Sequence, residues 1–189
     1  MKSVEIEFKT MITEKDFLRL QTYFQFQTSD FHLQENHYYD TEDAHLRKMH
    51  WGLRIRLLAD HAELTLKTPL TEGLLETTDR LSLDEAHNYV KKQQLPTTGT
   101  VADYLIAHGL SPEDLRETAC LKTSRAEGRI LEGLLALDES WYGEHHDFEL
   151  ELEVVNAQNG AEAFQQLLKK LEIPYIPAQN KILRALSAN

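Results

Sequence analysis

The chain has 189 residues, 41% of them hydrophobic and 27% charged, which excludes disorder and allows a sizeable core. Its net charge is −11 at neutral pH, which argues against a general nucleic-acid or anionic-membrane surface. No apolar run approaches the ~20 residues of a membrane-spanning helix. Met1-Lys2-Ser3 leads straight into a charged strand with no apolar leader, and Cys120 is the single cysteine, so a reducing, cytoplasmic compartment is expected.

Taken in order, Val4-Glu5-Ile6-Glu7-Phe8-Lys9 alternates apolar and charged residues. A β-strand sends successive side chains to opposite faces, so Glu5, Glu7 and Lys9 share one face. Thr13 caps a helix with Glu14 and Asp16 in its first turn, and Phe17, Leu18, Leu20, Tyr23 and Phe24 form its stripe to about residue 26. A strand follows from His32 to Tyr39, stopping near Asp40-Thr41, then a connector from Asp43 to His50. Residues 52–58 and 62–68 are expected to form an antiparallel hairpin. Arg54 and Arg56 lie on one face of its first strand, and Glu63, Thr65 and Lys67 on one face of its second. Gly73 to Thr77 is a short strand with Glu76 as its charge.

Residues 83–118 change character. Helices are expected to start at Asp84, Thr100 and Ser111-Pro112, with breaks at Leu95-Pro96 and His108-Gly109. The segment reads as a helical insertion that covers a sheet within one domain spanning 1–189. Strand signals resume at Cys120 to Arg125, with turns at Glu127-Gly128 and at Gly143 to Asp147. Cys120 is expected to be a small buried residue, and His145-His146-Asp147 a solvated turn. Phe148 to Val154 repeats the opening pattern with Glu149, Glu151 and Glu153 on one face. Ala161 to Leu171 is an amphipathic helix, and the tail from Ala178 to Leu186 is helical with Lys181 and Arg184.

An antiparallel sheet with one wet side would alternate in the same way. Here the charges are sorted by strand: Arg54, Arg56, Lys67 and Arg125 are basic, while Glu5, Glu7, Glu149, Glu151 and Glu153 are acidic. If the sheet curls with helices outside, the charged faces line a wet lumen. Arginines bind phosphate oxygens, and carboxylates bind Mg²⁺ or Mn²⁺. The ligand such a lumen suits is compact and highly anionic, a polyphosphate or a nucleotide triphosphate.

The ordered set Glu5-x-Glu7-x-Lys9, Tyr39-Asp40-Thr41, Leu53-Arg54-Ile55-Arg56, Leu64-Thr65-Leu66-Lys67, Glu76, Thr123-Ser124-Arg125, Leu137-Asp138 and Phe148-Glu149-Leu150-Glu151 resembles the CYTH, or triphosphate tunnel metalloenzyme, superfamily. It is most similar to small bacterial members of the YjbK type. The resemblance implies an α+β fold: an eight-stranded antiparallel β-barrel with a polar lumen and helices packed outside. It also implies metal-dependent hydrolysis of a small triphosphate or polyphosphate. Carried over residue by residue, Lys9, Arg54, Arg56, Lys67, Arg125 and Lys181 hold substrate. Glu5, Glu7, Asp138, Glu149 and Glu151 hold Mg²⁺ or Mn²⁺, and Glu5, Glu7, Lys9 and Glu76 make up the catalytic group. Lys181 resembles the family's plug-helix lysine, with Arg184 one turn on as its possible substitute. A class IV adenylate cyclase and a non-catalytic polyphosphate-binding module are the alternatives. The expected partner is the small molecule, with no nucleic acid and no membrane, and the protein a monomer or homodimer.

Overall fold

The computed structural model describes residues 1–187. Eight antiparallel strands close into a barrel: β1 (Lys2–Ile12), β2 (His32–Asp40), β3 (Gly52–Leu57), β4 (Ala62–Pro69), β5 (Leu74–Leu81), β6 (Arg116–Arg129), β7 (Leu134–Tyr142) and β8 (His145–Val154). Around the barrel the order is β1-β5-β4-β3-β2-β6-β7-β8. Closure is made by β1, whose residues 2–5 pair with β5 and 6–12 with β8. No helix among the described residues is long and apolar enough to cross a membrane.

The aliphatic strand faces point outward and are covered in two places. Over β3 and β4, Leu53, Ile55, Leu64 and Leu66 pack under α2 (His45–Lys48), α3 (Leu83–Lys92) and α4 (Thr100–Ala107) through Leu46, Ala86, Val101 and Leu105. Over β1, β7 and β8, Leu135, Leu150 and Leu152 pack under α1 (Glu14–Tyr23) and α5 (Ala157–Lys170) through Phe17, Leu20, Phe164 and Leu168. Each such side chain removed from water contributes roughly 1.5–3 kcal/mol. A third cluster joins Tyr38, Ala119 and Leu121 to Ile182, Ala185 and Leu186 of α6 (Lys181–Ser187), which lies across one end of the lumen. The segment before α6 is tied to β1, with Met11 N donating to Ile176 O at 3.0 Å and Ile176 N to Thr10 Oγ1 at 2.8 Å.

Local signals explain most element starts. Thr13 accepts from Asp16 N as the cap of α1, and Ser82 with Glu85 makes a reciprocal capping box on α3. Several expectations are corrected. Leu18 and Tyr23 of the α1 stripe are exposed. Ser111-Pro112 starts only a single turn of 3₁₀ helix, because Leu115 is already anchored in the core and β6 follows at once. The turn expected at Glu127-Gly128 is absent: β6 runs on to Arg129 and the chain reverses over 130–133. Gly128 is instead a place of close approach, where an added Cβ would lie 3.1 Å from the Phe26 ring. The helix expected from Ala161 begins at Ala157, capped by Asn156. His145 to Asp147 belong to β8, not to a turn. Gly73 leads into β5 at φ +76°, with the Glu5 carbonyl 2.4 Å from where a Cβ would sit, so only glycine fits.

Candidate active site

Alternation along the eight strands turns one set of side chains into a lumen. It encloses a cavity of about 360 Å³. Its wall includes Glu5, Glu7 and Lys9 of β1, Arg54 and Arg56 of β3, Lys67 of β4, Glu76 of β5, Arg125 of β6, Glu151 of β8 and Lys181 of α6. Of the residues singled out from the sequence, Asp138 and Glu149 are fully buried and lie off that wall. β3 stands four strands from β8 in either direction around the barrel, so the two arginines and the acidic strand occupy opposite walls.

The acidic wall is dense with internal countercharge. Asp138 takes a bidentate pair from Arg125, Nε to Oδ1 at 2.7 Å and Nη2 to Oδ2 at 2.5 Å. Arg125 also binds Glu151. Lys181 Nζ lies 2.7 Å from Asp138, 3.0 Å from Glu149 and 2.5 Å from Glu151. Arg184 reaches the same cluster, binding Glu149 and, at 2.7 Å, Asp147. Both candidate cations of α6 therefore engage the acidic wall, one helical turn apart. Burial alone would raise Glu151, but Arg125, Lys181 and Lys9 hold it well below the usual carboxylate range. At Glu149 burial prevails and its pKa is raised despite Lys181. Burial would lower the Lys181 ammonium, and Asp138, Glu151 and Glu149 instead raise it above its ordinary value.

Glu5 and Glu7 stand on the neighbouring β1. Glu5 pairs with Lys67, which also lies 3.4 Å from Glu76, and Glu7 pairs with Lys9 at 2.9 Å. Burial raises the Glu5 pKa, only partly countered by Lys67.

The basic wall differs. Among the described residues no carboxylate comes within ion-pairing distance of Arg54 or Arg56. Arg56 Nε donates to Asn36 Oδ1 at 2.9 Å, and Arg54 Nε is buried without a partner. Burial, and then the charges of Arg54 and Arg125, push the Arg56 pKa down to about 9. Two half-buried guanidiniums facing a cavity form a fork for anionic oxygens.

Asp138, Glu149 and Glu151 each offer an oxygen within 4.8 Å of the others, and Glu149 Oε1 is buried without a hydrogen-bond partner. Such all-oxygen donors fit a hard divalent cation such as Mg²⁺ or Mn²⁺. The Lys181 ammonium contacts the same three carboxylates, so a metal held there would compete with the lysine for one set of oxygens. Glu5 and Glu7 lie outside this triad.

Some contributors carry no charge pattern in the sequence. Asn36 positions Arg56, and Tyr38 lines the cavity. Thr65 meets Thr78 at 3.3 Å and Thr123 meets Ser140 at 3.1 Å, hydroxyl pairs that fill out the lumen. Inward parity on β2 and β4 is the signal that would have found Asn36, Tyr38 and Thr65. In Tyr39-Asp40-Thr41, Asp40 holds the start of α2 by accepting from Leu46 N at 2.8 Å and Arg47 N at 3.1 Å, while Tyr39 points outward into the core.

The CYTH domain family profile matches residues 3–186. YjbK of Bacillus subtilis (strain 168), whose name proposes a triphosphatase, is 36% identical over 184 residues, covering 97% of this chain and 94% of that protein. A crystal structure of a Bacillus halodurans protein, named as a proposed adenylate cyclase, is 38% identical with a TM-score of 0.91 and 97% of each chain covered. HpAC1 from Hippeastrum, a proposed adenylyl cyclase described as having a dominant triphosphatase activity, shares the fold at a TM-score of 0.80 and 22% identity, covering 100% of this chain and 97% of its own. The chain belongs to the CYTH domain family.

Proposed function

We propose that the protein is a metal-dependent triphosphatase that hydrolyses inorganic tripolyphosphate or a related small triphosphate inside the barrel. The observation that carries this reading is the pair Arg54 and Arg56, without carboxylate partners, facing a strand of buried carboxylates across one cavity. The name of the Bacillus subtilis relative supports the same reading.

Phosphoryl transfer needs positioning and charge neutralisation more than a protein nucleophile. Arg54 and Arg56 bind equatorial oxygens of the chain of phosphates, each able to use a two-pronged fork. Lys9 and Lys67, tethered to Glu7 and to Glu5 and Glu76, place further positive charge along the β1–β4 side. Arg125, clamped by Asp138 and Glu151 and with Nη1 3.3 Å from Glu127, also lines the cavity. Asp138, Glu149 and Glu151 would hold Mg²⁺ or Mn²⁺, with Glu5 and Glu7 ordering water beside them. When bound, the metal supplies Lewis-acid neutralisation of triphosphate charge and a more acidic water. Lys181 balances the same carboxylates and reads as the residue that yields to the metal or follows the substrate.

The chain reads as one domain in which residues 83–118 are a covering insertion, supported by Val101, Leu105 and Leu115 sharing a core with Leu53 and Leu66. The enzyme would act in the cytoplasm as a monomer or homodimer. A second reading, adenylate cyclase, is favoured by the name of the Bacillus halodurans protein. It requires cyclic AMP from ATP.

The test is phosphate release from tripolyphosphate, ATP and thiamine triphosphate with Mg²⁺ or Mn²⁺. Release abolished by chelator supports the proposal. Glu7→Gln should lower turnover by about 10²-fold or more, as for other preorganised electrostatic groups, with Lys9→Ala smaller. Binding of these anions without release would leave a polyphosphate-binding module, and an unchanged rate in Glu7→Gln would remove that residue from the machinery.

A further inference from the structure

A second cluster lies on the outer wall of the barrel, away from the lumen. Register places His37 of β2 directly opposite Cys120 of β6, and Glu35 opposite Lys122, so Glu35, His37 and Cys120 share one face. Contrary to the sequence expectation, Cys120 is exposed. Each of the three offers a ligand atom within 4.8 Å of the other two.

The imidazole is the informative member. His37 is only 6% exposed. Its Nδ1 lies 2.9 Å from Glu117 Oε1. A β-bulge between Tyr38 and Tyr39 makes that contact possible: Glu117 and Cys120 are an odd number of residues apart, and only the extra residue brings both to the outer face. In the tautomer whose Nδ1–H donates to Glu117, Nε2 presents a lone pair. It lies 3.2 Å from Glu35 Oε1 yet is buried without a hydrogen-bond partner. That contact needs positive charge at this edge of the ring, supplied either by a proton on Nε2 or by a cation held between the two groups. The Cys120 sulfur lies 3.9 Å from the same oxygen. The other oxygen of Glu35 faces Lys122 Nζ at 3.2 Å, which leaves Oε1 directed at the cluster.

We propose that Glu35, His37 and Cys120 bind Zn²⁺ on the outer wall of the barrel, through Oε1, Nε2 and the thiolate. Glu117 orients the imidazole, as carboxylates do behind zinc-bound histidines. Binding forms three metal–ligand bonds and releases the thiol proton to solvent. Mixed N, O and S donors favour a borderline ion over Mg²⁺, whereas the lumen offers oxygen alone, so the two sites sort metals by ligand chemistry. Three protein ligands leave a fourth position open to water.

The test adds Co²⁺, then Zn²⁺, to metal-free protein and follows the near-ultraviolet thiolate-to-cobalt band. Cys120 is the only cysteine, so the band reports this site alone. The expected result is a band saturating at one Co²⁺ per chain, displaced by Zn²⁺, lost in Cys120→Ser, and retained in the lumen variant Glu7→Gln. His37→Gln and Glu117→Gln should each weaken Zn²⁺ binding, the latter by roughly 10–100-fold, as for other outer partners of metal ligands. Far-ultraviolet circular dichroism checks that each variant is folded. Absence of the band, a band that appears only as two chains associate, or Zn²⁺ binding unchanged in folded Cys120→Ser and His37→Gln would overturn the proposal.

Discussion

The two walls of the lumen solve the problem of buried charge in opposite ways. Asp138, Glu149 and Glu151 are neutralised from within by Arg125, Lys181 and Arg184. Among the described residues Arg54 and Arg56 have no carboxylate within ion-pairing distance; Arg56 leans on Asn36, and the two guanidiniums repel each other. An internally paired cluster holds the fold together, and removing one member strands the rest. An unpaired pair of cations strains the fold, and a bound anion would compensate it. The acidic wall therefore combines structure with the candidate metal site, while the basic wall is arranged for a ligand.

The largest expected effect lies on the acidic wall. Asp138→Asn removes the bidentate partner of Arg125 and one of the three carboxylates around Lys181, and should cost about 3–5 kcal/mol, the usual result of removing one partner of a buried pair. Urea denaturation measures it; a loss below 1 kcal/mol would mean that the wall is not held by its own ion pairs. Next comes Arg54→Ala with Arg56→Ala. Tripolyphosphate binding, followed by calorimetry, should weaken by 10²-fold or more while the urea midpoint is kept or raised. A double variant that unfolds instead would erase the contrast between the walls.

A smaller effect carries a sign in pH. The folded Arg56 pKa, about 9, lies below its ordinary value of 12.5. Below pH 9 both states are charged and the folded state bears the full cost. As pH climbs past 9 the folded state loses its proton first and the cost is relieved. Arg56→Met should therefore raise the melting temperature at pH 8, by about 2–4 °C for each kcal/mol recovered, and by less at pH 10. A gap that widens with pH contradicts the assignment. The smallest effect is a control remote from both walls: Thr13→Ala removes the cap of α1 and should cost about 1 kcal/mol without touching turnover.

Much of this contrast was legible in the sequence because a strand has a period of two. Once Glu5, Arg54, Lys67 and Glu149 are placed on strands, their partners on the same face follow. Composition could not show that Lys181 and Arg184 would countercharge the acidic wall. They lie some thirty residues further on, delivered by the segment that Thr10 and Met11 hold. Alternation says nothing of places where the backbone departs from it. The bulge beside Tyr39 turns Glu117 outward, and the strand through Gly128 continues because Phe26 fills the space a side chain would need. Leu18 and Tyr23 fit a helical stripe, yet both stay more than half exposed on the edge of α1.

The double role of β1 bears on how the chain acquires its structure in time. Its first residues pair with β5, but its last seven wait for β8, more than a hundred residues later. A growing polypeptide cannot complete the cylinder until that strand has been made, and pairings so distant in sequence slow the final step. Glu7 meets Glu151 only at that moment. Metal or phosphate can then reward the finished cylinder but cannot guide the early stages, so either ligand should slow unfolding far more than it speeds refolding.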